Sequence, residues 1–460
     1  MENKTYDSIE ELLATLKPTY GHKFKEYDVN GRLNDPKNKG RLGQIVEEGI
    51  FQYPINSRSE ADFANLGVEL KTTGVVINKN GSVRAKERLT LKVLNYNDVA
   101  IQDFAHSNVW SKSKSMLIVL YDYLRGMPYG EMPIISAFDF HFTDAEKKIL
   151  QDDYNIIAGK IRAGKAETLS EGDTMYLGAC TSGTGKPVPQ PYSSTMAIER
   201  KFCLKSAFMT ALVRRYLNNE KIESILSFKD LTNETFEEAI LRRLSPYFGL
   251  TETEIATKFG IDTTAKNRYE RYIAAMLGIK GKVDKTAEFM QANINLKTIR
   301  VNENGRIKES MSFPYFDFRD IVDQDWYDSD IRESFSSQKY LFAIYHQKDG
   351  QLVFERIQFW NLPENIIDHE LMGTYEKLQE VLRSGNIVAS IDSRGIRHNN
   401  FPGMAENGIC HIRPHGINKY DTCPLPVPDR LTGATEYTKQ CFWLNNKYIA
   451  NVISVNNTKK

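Results

Sequence analysis

The segment Ala61–Thr72, which reads ADFANLGVELKT, occurs a second time in this chain in a modified form. The second copy is Ala287–Thr298, with the sequence AEFMQANINLKT, and the two segments align without a gap. Five of the twelve positions are identical, and Asp62 faces the chemically similar Glu288. An internal match of this kind is typical of a duplicated structural unit.

Further pairs of similar segments follow the two copies in the same order. An Asn-Gly turn precedes an alternating strand pattern in each half, KERLTL from Lys86 and KESMSF from Lys308. Near the ends, KFCLKSAFMTAL begins at Lys201 and QCFWLNNKYIANV begins at Gln440. The turns are Asn80-Gly81 and Asn304-Gly305. Three ordered matches predict two copies of one module.

The length and composition agree with a globular protein of more than one domain. The 460 residues are too many for one ordinary core, and the repeat divides them into modules at residues 1–225 and 226–460. The net charge of +1 neither indicates nor excludes nucleic-acid binding, because acidic ligands can offset a basic cleft. The five cysteines include no CxxC pair, and the N-terminus lacks the features of a signal peptide. We therefore expect no disulfide framework and a cytoplasmic location.

The repeated segment contains a strand that carries charge on one face. The stretch GVELKTTGVVI has the Val and Thr content of a strand, whose side chains alternate between faces. Val68 and Leu70 then face the core, and Glu69 and Lys71 share the opposite face. Asp62 lies in the connection that leads into the strand. We expect the Asn80-Gly81 turn to return the chain as a second, adjacent strand over RLTLKVLNY.

A helix is predicted before the strand. Asp35-Pro36 is a favourable helix start, and apolar residues recur at helical spacing in the following KGRLGQIVEEGIF. Glu47 and Glu48 lie beyond the edge of this apolar face, so that at least one of them can point out of the core.

These side chains are of the types that metal-dependent phosphodiester hydrolysis requires. Mg²⁺ prefers oxygen ligands and lowers the pKa of a bound water. A lysine beside the carboxylates can orient or deprotonate that water, or stabilise negative charge. Asp62, Glu69 and Lys71 fit these roles, although the same spacing also occurs on ordinary solvated strands that carry a surface ion pair. In the second copy Asn295 replaces Glu69 and Lys297 is retained, which predicts one catalytic module and one kept for binding.

The runs GRLGQIVEEG, DFANLGVELKT and FCLKSAFMTAL resemble MutH, the GATC-nicking endonuclease of mismatch repair. They resemble still more closely the Sau-type restriction endonucleases, which recognise GATC and carry two MutH-like modules in one chain. This resemblance implies an α/β fold (α+β-like) with two restriction-endonuclease-type modules, each a mixed central sheet flanked by helices. It also implies that only the first module cuts.

The resemblance implies a role for each matching position. Asp62 and Glu69 bind Mg²⁺, and Lys71 is the catalytic lysine. The family's helix glutamate falls on Glu47 by the pattern KGxxGxxxE, and on Glu48 when counted back from Asp62; we prefer Glu47. A further lysine before an apolar run falls on Lys112, with Lys114 as the alternative. In the second module the segment Ile273 to Leu277 holds no carboxylate and Ser336 falls near the Lys112 position, as expected of an inactive copy.

The family reads DNA partly through a loop that follows a strand. In the first module YLGACTSG places Cys180, Thr181 and Ser182 there, in a departure from the family's Arg-Pro-Lys. In the second module HIRPHG is closer to that sequence and contributes Arg413, Pro414 and His415. Arg413 can pair with guanine, and a phosphate contact or a surface salt bridge is an equal alternative. Lys205, in the third block of the resemblance, is also assigned to DNA binding.

The resulting prediction is a type II restriction endonuclease that cleaves double-stranded DNA at GATC with Mg²⁺. The second module binds another GATC copy as an allosteric effector. We expect a monomer that dimerises on DNA, no membrane association and a companion DNA methyltransferase in the host. The alternatives are a methyl-directed mismatch-repair nicking endonuclease, which needs only one module, and a non-catalytic GATC-binding protein, which the intact carboxylates disfavour.

Overall fold

The computed structural model describes residues 4–55, 60–78, 81–181 and 185–455. The chain forms two compact units. The first unit consists of residues 1–239 and 284–294, and the second of residues 240–283 and 295–460. The assignment of residues 1–225 and 226–460 to separate functional modules stays a prediction, because the compact units alternate along the chain in this region.

The helices are distributed over both units. They are α1 (Ile9–Leu16), α2 (Arg41–Ile45), α3 (Tyr96–Ile101), α4 (Asn108–Ser113), α5 (Asp144–Arg162), α6 (Ser206–Asn218), α7 (Phe228–Leu231), α8 (Phe236–Leu244), α9 (Glu252–Phe259), α10 (Arg268–Leu277), α11 (Ala287–Gln291), α12 (Phe318–Asp323), α13 (Asp330–Ser337), α14 (Glu364–Ile366), α15 (Met372–Ser384) and α16 (Asn446–Val455). In the described parts of the chain, no helix is both long and apolar enough to cross a membrane.

The chain also contains the following strands, which form several small sheets. They are β1 (Glu69–Ile77), β2 (Val83–Ala85), β3 (Leu89–Leu94), β4 (Met116–Asp122), β5 (Ile134–Phe140), β6 (Leu177–Thr181), β7 (Pro187–Val188), β8 (Ala197–Ile198), β9 (Arg200–Leu204), β10 (Ile294–Val301), β11 (Met311–Tyr315), β12 (Lys339–Lys348), β13 (Gln351–Asn361), β14 (Val388–Ile391), β15 (Arg397–Asn399), β16 (Cys410–Pro414), β17 (Thr422–Pro424), β18 (Glu436–Thr438) and β19 (Gln440–Leu444).

The sheet topology repeats within the chain. The order β2-β1-β4-β5 corresponds to β10-β12-β13, the order β3-β9-β6 corresponds to β11-β19-β16, and the pair β7-β8 corresponds to β17-β18. Matching backbone bonds support the correspondence: the amide of Lys205 donates to Tyr176, and that of Asn445 donates to Ile409. Each of these carbonyl residues directly precedes a strand, β6 or β16. The duplication and the α/β class predicted from the sequence are therefore confirmed.

The first sheet is mixed, as predicted, and its centre is hydrophobic. β1 runs parallel to β4, with Glu69 opposite Met116, and antiparallel to β2. β4 is a nearly continuous apolar run, MLIVLYD, because both faces of this central strand are covered. Val68 and Leu70 are buried in the core beneath β1, which confirms the predicted core face.

Two local predictions were wrong. The helix begins at Arg41 rather than near Asp35, because Asp35 closes a local turn by accepting from the amide of Lys37. The segment RLTLKVLNY forms β3, but β3 pairs with β9 in a different sheet. The short β2 occupies the edge of β1, with Ile77 opposite Val83, so that the later strand cannot pair there. Of the predicted turn, Asn80 lies outside the described residues.

Candidate active site

The adjacent carboxylates Glu47 and Glu48 lie where the first helix changes its geometry. α2 continues beyond Ile45 as a π-helical turn over Val46–Ile50. Turns of this type insert an extra residue into the helical repeat and occur often at functional sites. Glu48 is paired with Arg32, which donates to its two oxygens at 2.9 and 2.7 Å. This bidentate pair lowers the pKa of Glu48.

Glu47 faces a different environment. Burial raises the pKa of Glu47 to about 7, and the negative charge of Asp62 adds to this shift while Lys71 opposes it. Glu69 makes a further unfavourable contribution to the charged form of Glu47. Because these groups interact electrostatically, Glu47 belongs to the same charged cluster as the strand residues, whereas Glu48 is neutralised by its arginine.

Asp62 is folded back against the start of β1 by a tight loop. The amide of Phe63 donates to Val68 at 2.9 Å, and Gly67 takes a positive φ of 67° that side chains rarely adopt. As a result, Oδ2 of Asp62 accepts from the amide of Leu70 at 2.8 Å. Burial and the charge of Glu69 raise the pKa of Asp62 in spite of this hydrogen bond.

Glu69 and Lys71 share one face of β1, as their alternation predicts. Nζ of Lys71 donates to Oε1 of Glu69 at 2.6 Å. The residue Glu69 is only 3% exposed, so this ion pair lies largely out of contact with solvent. The strand thus fixes a carboxylate and an ammonium group side by side on a surface that Asp62 adjoins.

Lys112 reaches the same carboxylate from a separate element. Its Nζ lies 3.3 and 3.2 Å from the two oxygens of Glu69. α4 ends at Ser113, and Ser115 accepts from the amide of Glu69, so the parallel pairing of β1 with β4 brings Lys112 to this position. Lys114 is exposed, and the structure brings Lys112 rather than Lys114 into the cluster.

The cluster has the donor chemistry of a divalent-cation site. Glu47, Asp62 and Glu69 offer hard carboxylate oxygens. Burial, and after it the neighbouring negative charge, raises the pKa of Glu47 and of Asp62, and a cation would relieve the repulsion between the carboxylates. Two ammonium groups already contact Glu69, so a cation has to share its oxygens with them. Among the described residues, the one group of three whose ligand atoms lie within 4.8 Å of one another is elsewhere, at Glu171, Cys180 and Cys203. Binding at the carboxylate cluster therefore requires its side chains to move closer together.

Comparison with known proteins defines the family. The model of the DNA mismatch repair enzyme MutH matches residues 51–153 and 277–364, one region in each copy of the repeat. The type II restriction enzyme Sau3AI of Staphylococcus aureus is 31% identical over 459 residues, which cover 92% of this chain and 94% of that enzyme. The chain belongs to the Sau3AI family of restriction enzymes. It is a site-specific deoxyribonuclease with two MutH-like modules.

The mismatch repair proteins are similar to only part of this Sau3AI-family chain. MutH of Shewanella baltica (strain OS195) is 27% identical over 218 residues, 45% of this chain and 96% of that protein. MutH of Vibrio campbellii is 26% identical over 219 residues, again 45% of this chain. A single MutH thus has the length of one module, in agreement with the duplication.

Of the residues assigned to DNA binding in the first module, those that the structure describes are buried. Cys180 and Thr181 are buried in β6, and Ser182 lies outside the described residues. Lys205 is 1% exposed, and its ammonium group donates to the carbonyl of Thr174 at 2.5 Å. Cys180, Thr181 and Lys205 are therefore little accessible to DNA in this arrangement, and their assignment to DNA binding stays a prediction.

The corresponding residues of the second module are exposed. Arg413, Pro414 and His415 lie at the end of β16 and just beyond it. The guanidinium of Arg413 sits 4.6 Å from the ring centre of Trp443, and His415 packs edge-on against the same ring at 5.9 Å. An arginine supported on an aromatic surface has less freedom to lose when it binds DNA. The assignment of these residues to DNA binding stays a prediction.

The second copy differs at three of the positions that form the carboxylate and lysine cluster of the first. Asn295 is in β10, where the strand glutamate would be. Glu288, the counterpart of Asp62, is buried and accepts from Ser224, Ile225 and Leu226 within the first unit. Ser336 donates to the carbonyl of its own helix residue Glu333. Each of these three counterparts is thus either uncharged or committed to a structural hydrogen bond.

Sequence reasoning overlooked a basic and aromatic group beside β1. The amide of Lys86 donates to Gly74 of β1, and its ammonium group donates to the hydroxyl of Tyr129 at 3.0 Å. The guanidinium of Arg41 lies 4.8 Å from the ring centre of the same tyrosine. Both cations occur in segments that the repeat and the resemblance had singled out. Their meeting on one aromatic ring depends on Tyr129, which no sequence pattern marked.

Proposed function

We propose that the first module hydrolyses both strands of duplex DNA at GATC in a Mg²⁺-dependent reaction. The observation that carries this proposal is the shared contact of Lys71 and Lys112 with the buried Glu69, next to Asp62 and Glu47. Similarity to Sau3AI over nearly the whole chain supports a restriction activity. GATC recognition is inferred from the resemblance to the Sau-type family.

The carboxylates of Glu47, Asp62 and Glu69 would hold the cation. When bound, Mg²⁺ supplies a Lewis acid for the phosphate and lowers the pKa of a coordinated water. Lys71 would orient the attacking water, because its ammonium group is fixed beside Glu69 and can donate to the water oxygen. Lys112 balances the negative charge that builds on the phosphate. In-line attack of water on phosphorus leaves a 5′-phosphate and a 3′-hydroxyl.

One catalytic cluster can attack one strand at a time. A double-strand break therefore needs two attacks, and we propose that a chain monomeric in solution pairs with a second chain on the palindromic site. A companion methyltransferase would protect the host's own GATC sites, and both activities would operate in the cytoplasm, where the host DNA lies.

We propose further that the second module binds another GATC copy and promotes cleavage by the first. The second module keeps the scaffold of the first but has Asn295 in the place of Glu69, and its exposed Arg413 packs on the ring of Trp443. A site that binds DNA without cutting it fits the role of an effector site. Its occupancy favours the active state of the protein only if the active and inactive states differ in their affinity for the effector DNA.

The first experiment is digestion of unmethylated plasmid by the wild type and by Glu69→Ala, with sequencing of the ends. The matched control is Glu10→Ala, which removes an exposed glutamate of α1. We expect double-strand ends at GATC that require Mg²⁺, that are lost in Glu69→Ala and that persist in Glu10→Ala. Nicks restricted to one strand would favour a mismatch-repair activity, and intact DNA bound equally well in EDTA would contradict catalysis.

The effector role is tested with a duplex that contains one GATC site. Its cleavage rate is measured with and without a second, nuclease-resistant GATC duplex in trans, and a duplex of scrambled sequence serves as the control. We expect the specific duplex alone to accelerate cleavage. A rate that does not respond to the second site would contradict the allosteric role without affecting the assignment of the catalytic cluster.

A further inference from the structure

One surface of the first unit gathers two cations on a tyrosine ring. The ammonium group of Lys86 donates to the hydroxyl of Tyr129 at 3.0 Å, and it lies 4.9 Å from the ring centre of Tyr123. The guanidinium of Arg41 lies 4.8 Å from the ring centre of Tyr129. We name these four residues the Tyr129 group. They come from separate segments, because Arg41 begins α2, Lys86 follows β2 and both tyrosines follow β4.

The guanidinium of Arg41 is held in place without being neutralised. Its Nη1 donates to the carbonyl oxygens of Asp35 and Pro36 at 3.1 and 2.8 Å. Within the part of the chain that the structure describes, neither a carboxylate nor another acceptor pairs with Nε or Nη2 of Arg41. A fixed guanidinium with two donor atoms to spare has the geometry that binds two oxygens of one phosphate.

The arginine that begins the matching helix of the second copy is committed to a carboxylate. α10 contains the segment that corresponds to the helix of the first module, and its first residue is Arg268. The guanidinium of Arg268 donates to Glu252, and this hydrogen bond raises the pKa of Arg268. The charge of Arg41 therefore stays available in the module that holds the carboxylate cluster, whereas that of Arg268 is balanced by its neighbour.

Lys86 is anchored to the strand that carries Glu69. Its amide donates to the carbonyl of Gly74 in β1 at 2.8 Å. Its ammonium group also lies 3.2 Å from the carboxylate of Glu87, but that glutamate is 53% exposed, so the ion pair is weak. The hydroxyl of Tyr129 accepts from Lys86 and keeps its own hydrogen to donate. Lys86 and Arg41 together outweigh Glu87, so this surface favours an anion.

The elements that position the Tyr129 group also carry the carboxylates proposed to hold the cation. Arg41 lies six residues before Glu47 on α2 and its π-helical continuation, about 9 Å along the axis. Gly74, which accepts from Lys86, lies five residues beyond Glu69, about 16 Å along β1. Phosphates of one DNA strand recur about every 3.4 Å along the duplex axis. These spans correspond to roughly three to five nucleotides, so one short duplex reaches both places.

We propose that Arg41 and Lys86, supported by Tyr129, bind a backbone phosphate of the substrate DNA a few nucleotides from the one that is cleaved. The proposal rests on the DNA cleavage proposed for the first module, and it names a contact that holds the duplex over the carboxylate cluster. Contacts of this kind fix the register of a duplex and carry no sequence information. Because these residues lie away from the scissile phosphate, they act on DNA binding and not on the attack of water.

The test is single-turnover cleavage of a labelled duplex with one GATC site by the full chain in Mg²⁺. Series at several chain and salt concentrations give the maximal rate, the half-saturating chain concentration and the dependence of that concentration on salt. Arg41→Ala with Lys86→Ala is compared with Lys17→Ala with Lys165→Ala. The control pair removes the same charge from exposed positions of the first unit.

We expect the half-saturating concentration of the Arg41 and Lys86 pair to rise about tenfold or more, because charge-assisted hydrogen bonds to phosphate are lost. The salt slope should fall by about 1–2, since each phosphate contact contributes close to 1. The maximal rate should stay within about threefold, and the control pair should match the wild type throughout. Arg41→Lys, which restores the charge without the planar fork, should recover the salt slope and part of the affinity, and so guards against misfolding of the alanine variant.

Two results would contradict the positioning role. One is a lower maximal rate with an unchanged half-saturating concentration and salt slope, which would make the effect of these residues structural. The other is a variant pair that matches the wild type in all three quantities. A wild type that leaves the duplex intact would instead contradict the proposed cleavage, so the two failures are distinguishable.

A separate arm distinguishes DNA from a small anion. Inorganic phosphate is added in EDTA at constant ionic strength, and the melting temperatures of the wild type and of the Arg41 and Lys86 pair are recorded. If millimolar phosphate stabilises the wild type alone while the cleavage parameters of the two proteins agree, the Tyr129 group is a small-anion site and its assignment to DNA is wrong.

Discussion

The ammonium group of Lys112 lies 3.2 Å from Oε2 of Glu69, although the two residues are 43 positions apart in the chain. α4 ends just before β4, and β4 runs parallel to β1. The end of α4 therefore lies next to the start of β1. Glu69 thereby accepts from two lysines on different elements. This contact is the basis of the first prediction.

Replacing Lys112 by Ala should lower the cleavage rate about 100-fold or more at saturating Mg²⁺, because the phosphate loses a fixed positive charge in the transition state. Lys114→Ala removes the same charge two residues away from an exposed position and should leave the rate within about twofold. Single-turnover cleavage of a GATC duplex measures both rates. Equal losses in the two variants would show that general charge, rather than the contact with Glu69, matters.

Glu47→Gln and Glu48→Gln should differ sharply in activity. Glu47 interacts with Asp62 and Glu69, and loss of its charge should weaken cation binding and reduce cleavage about 100-fold. Glu48 is already neutralised by Arg32, so its amide should cost no more than about 1 kcal/mol in stability and little activity. Cleavage rates across a Mg²⁺ titration separate the two. A larger defect in the Glu48 variant would reverse the assignment.

The stability of the metal-free protein should depend on the protonation of Glu47. Burial raises the pKa of Glu47 from 4.5 to about 7, so the folded state binds its proton more tightly than the unfolded state does. The resulting stabilisation is fully present below pH ~4.5 and is lost as the pH rises through about 7. Because Glu47 is partly exposed, the loss should be on the order of 1–3 kcal/mol.

Urea unfolding in EDTA at pH 5 and pH 8 measures this effect as a difference between the wild type and Glu47→Gln. The wild type should lose more stability between the two pH values, while the contributions of groups that do not interact with Glu47 cancel in the comparison. Identical pH dependence in the two proteins would mean that Glu47 titrates normally. With Mg²⁺ present, apparent cation affinity should rise across the same interval because the proton and the cation compete for the carboxylate.

Gly49→Ala should abolish cleavage through a structural defect. A methyl group at Gly49 would overlap the carbonyl oxygen of Tyr27, and the π-helical turn that carries Glu47 would have to shift. The matched control is Gly159→Ala in α5, where nothing lies near the new methyl group and helix propensity should add about 0.5–1 kcal/mol. Melting temperature and cleavage rate are measured together. Full activity in the Gly49 variant would contradict the close approach.

Glu288→Ala should destabilise the first unit without impairing cation binding. Its carboxylate accepts from the hydroxyl of Ser224 and from the amides of Ile225 and Leu226, all of which would lose a buried partner. A cost of about 2–4 kcal/mol is expected. Glu223→Ala, at an exposed neighbouring position, should cost less than about 0.5 kcal/mol. Denaturant unfolding measures both, and equal stabilities would mean that Glu288 has no structural role.

Several features of the site followed from the chain alone. Alternation on a strand placed Glu69 beside Lys71, and the internal repeat marked Asn295 as the altered counterpart. Local sequence patterns did not predict contacts between residues that are far apart in the chain. The strand over RLTLKVLNY was recognised as a strand, but its periodicity carries no information on which strand it pairs with. The burial of Cys180 and Lys205 likewise depends on β9 and Thr174, which no local pattern connects to them.

The sequence by itself determined the duplication, the α/β class and the pairing of Glu69 with Lys71, because repeats and side-chain alternation are properties of consecutive residues. Only the tertiary structure decided between Glu47 and Glu48 as neighbours of Asp62, and between Lys112 and Lys114 as the second lysine on Glu69. Adjacent or nearly adjacent residues are equivalent in a spacing argument. The π-helical turn and the Arg32 partner distinguish Glu47 from Glu48, and the parallel register of β1 and β4 distinguishes Lys112 from Lys114. These features exist only once the chain has folded.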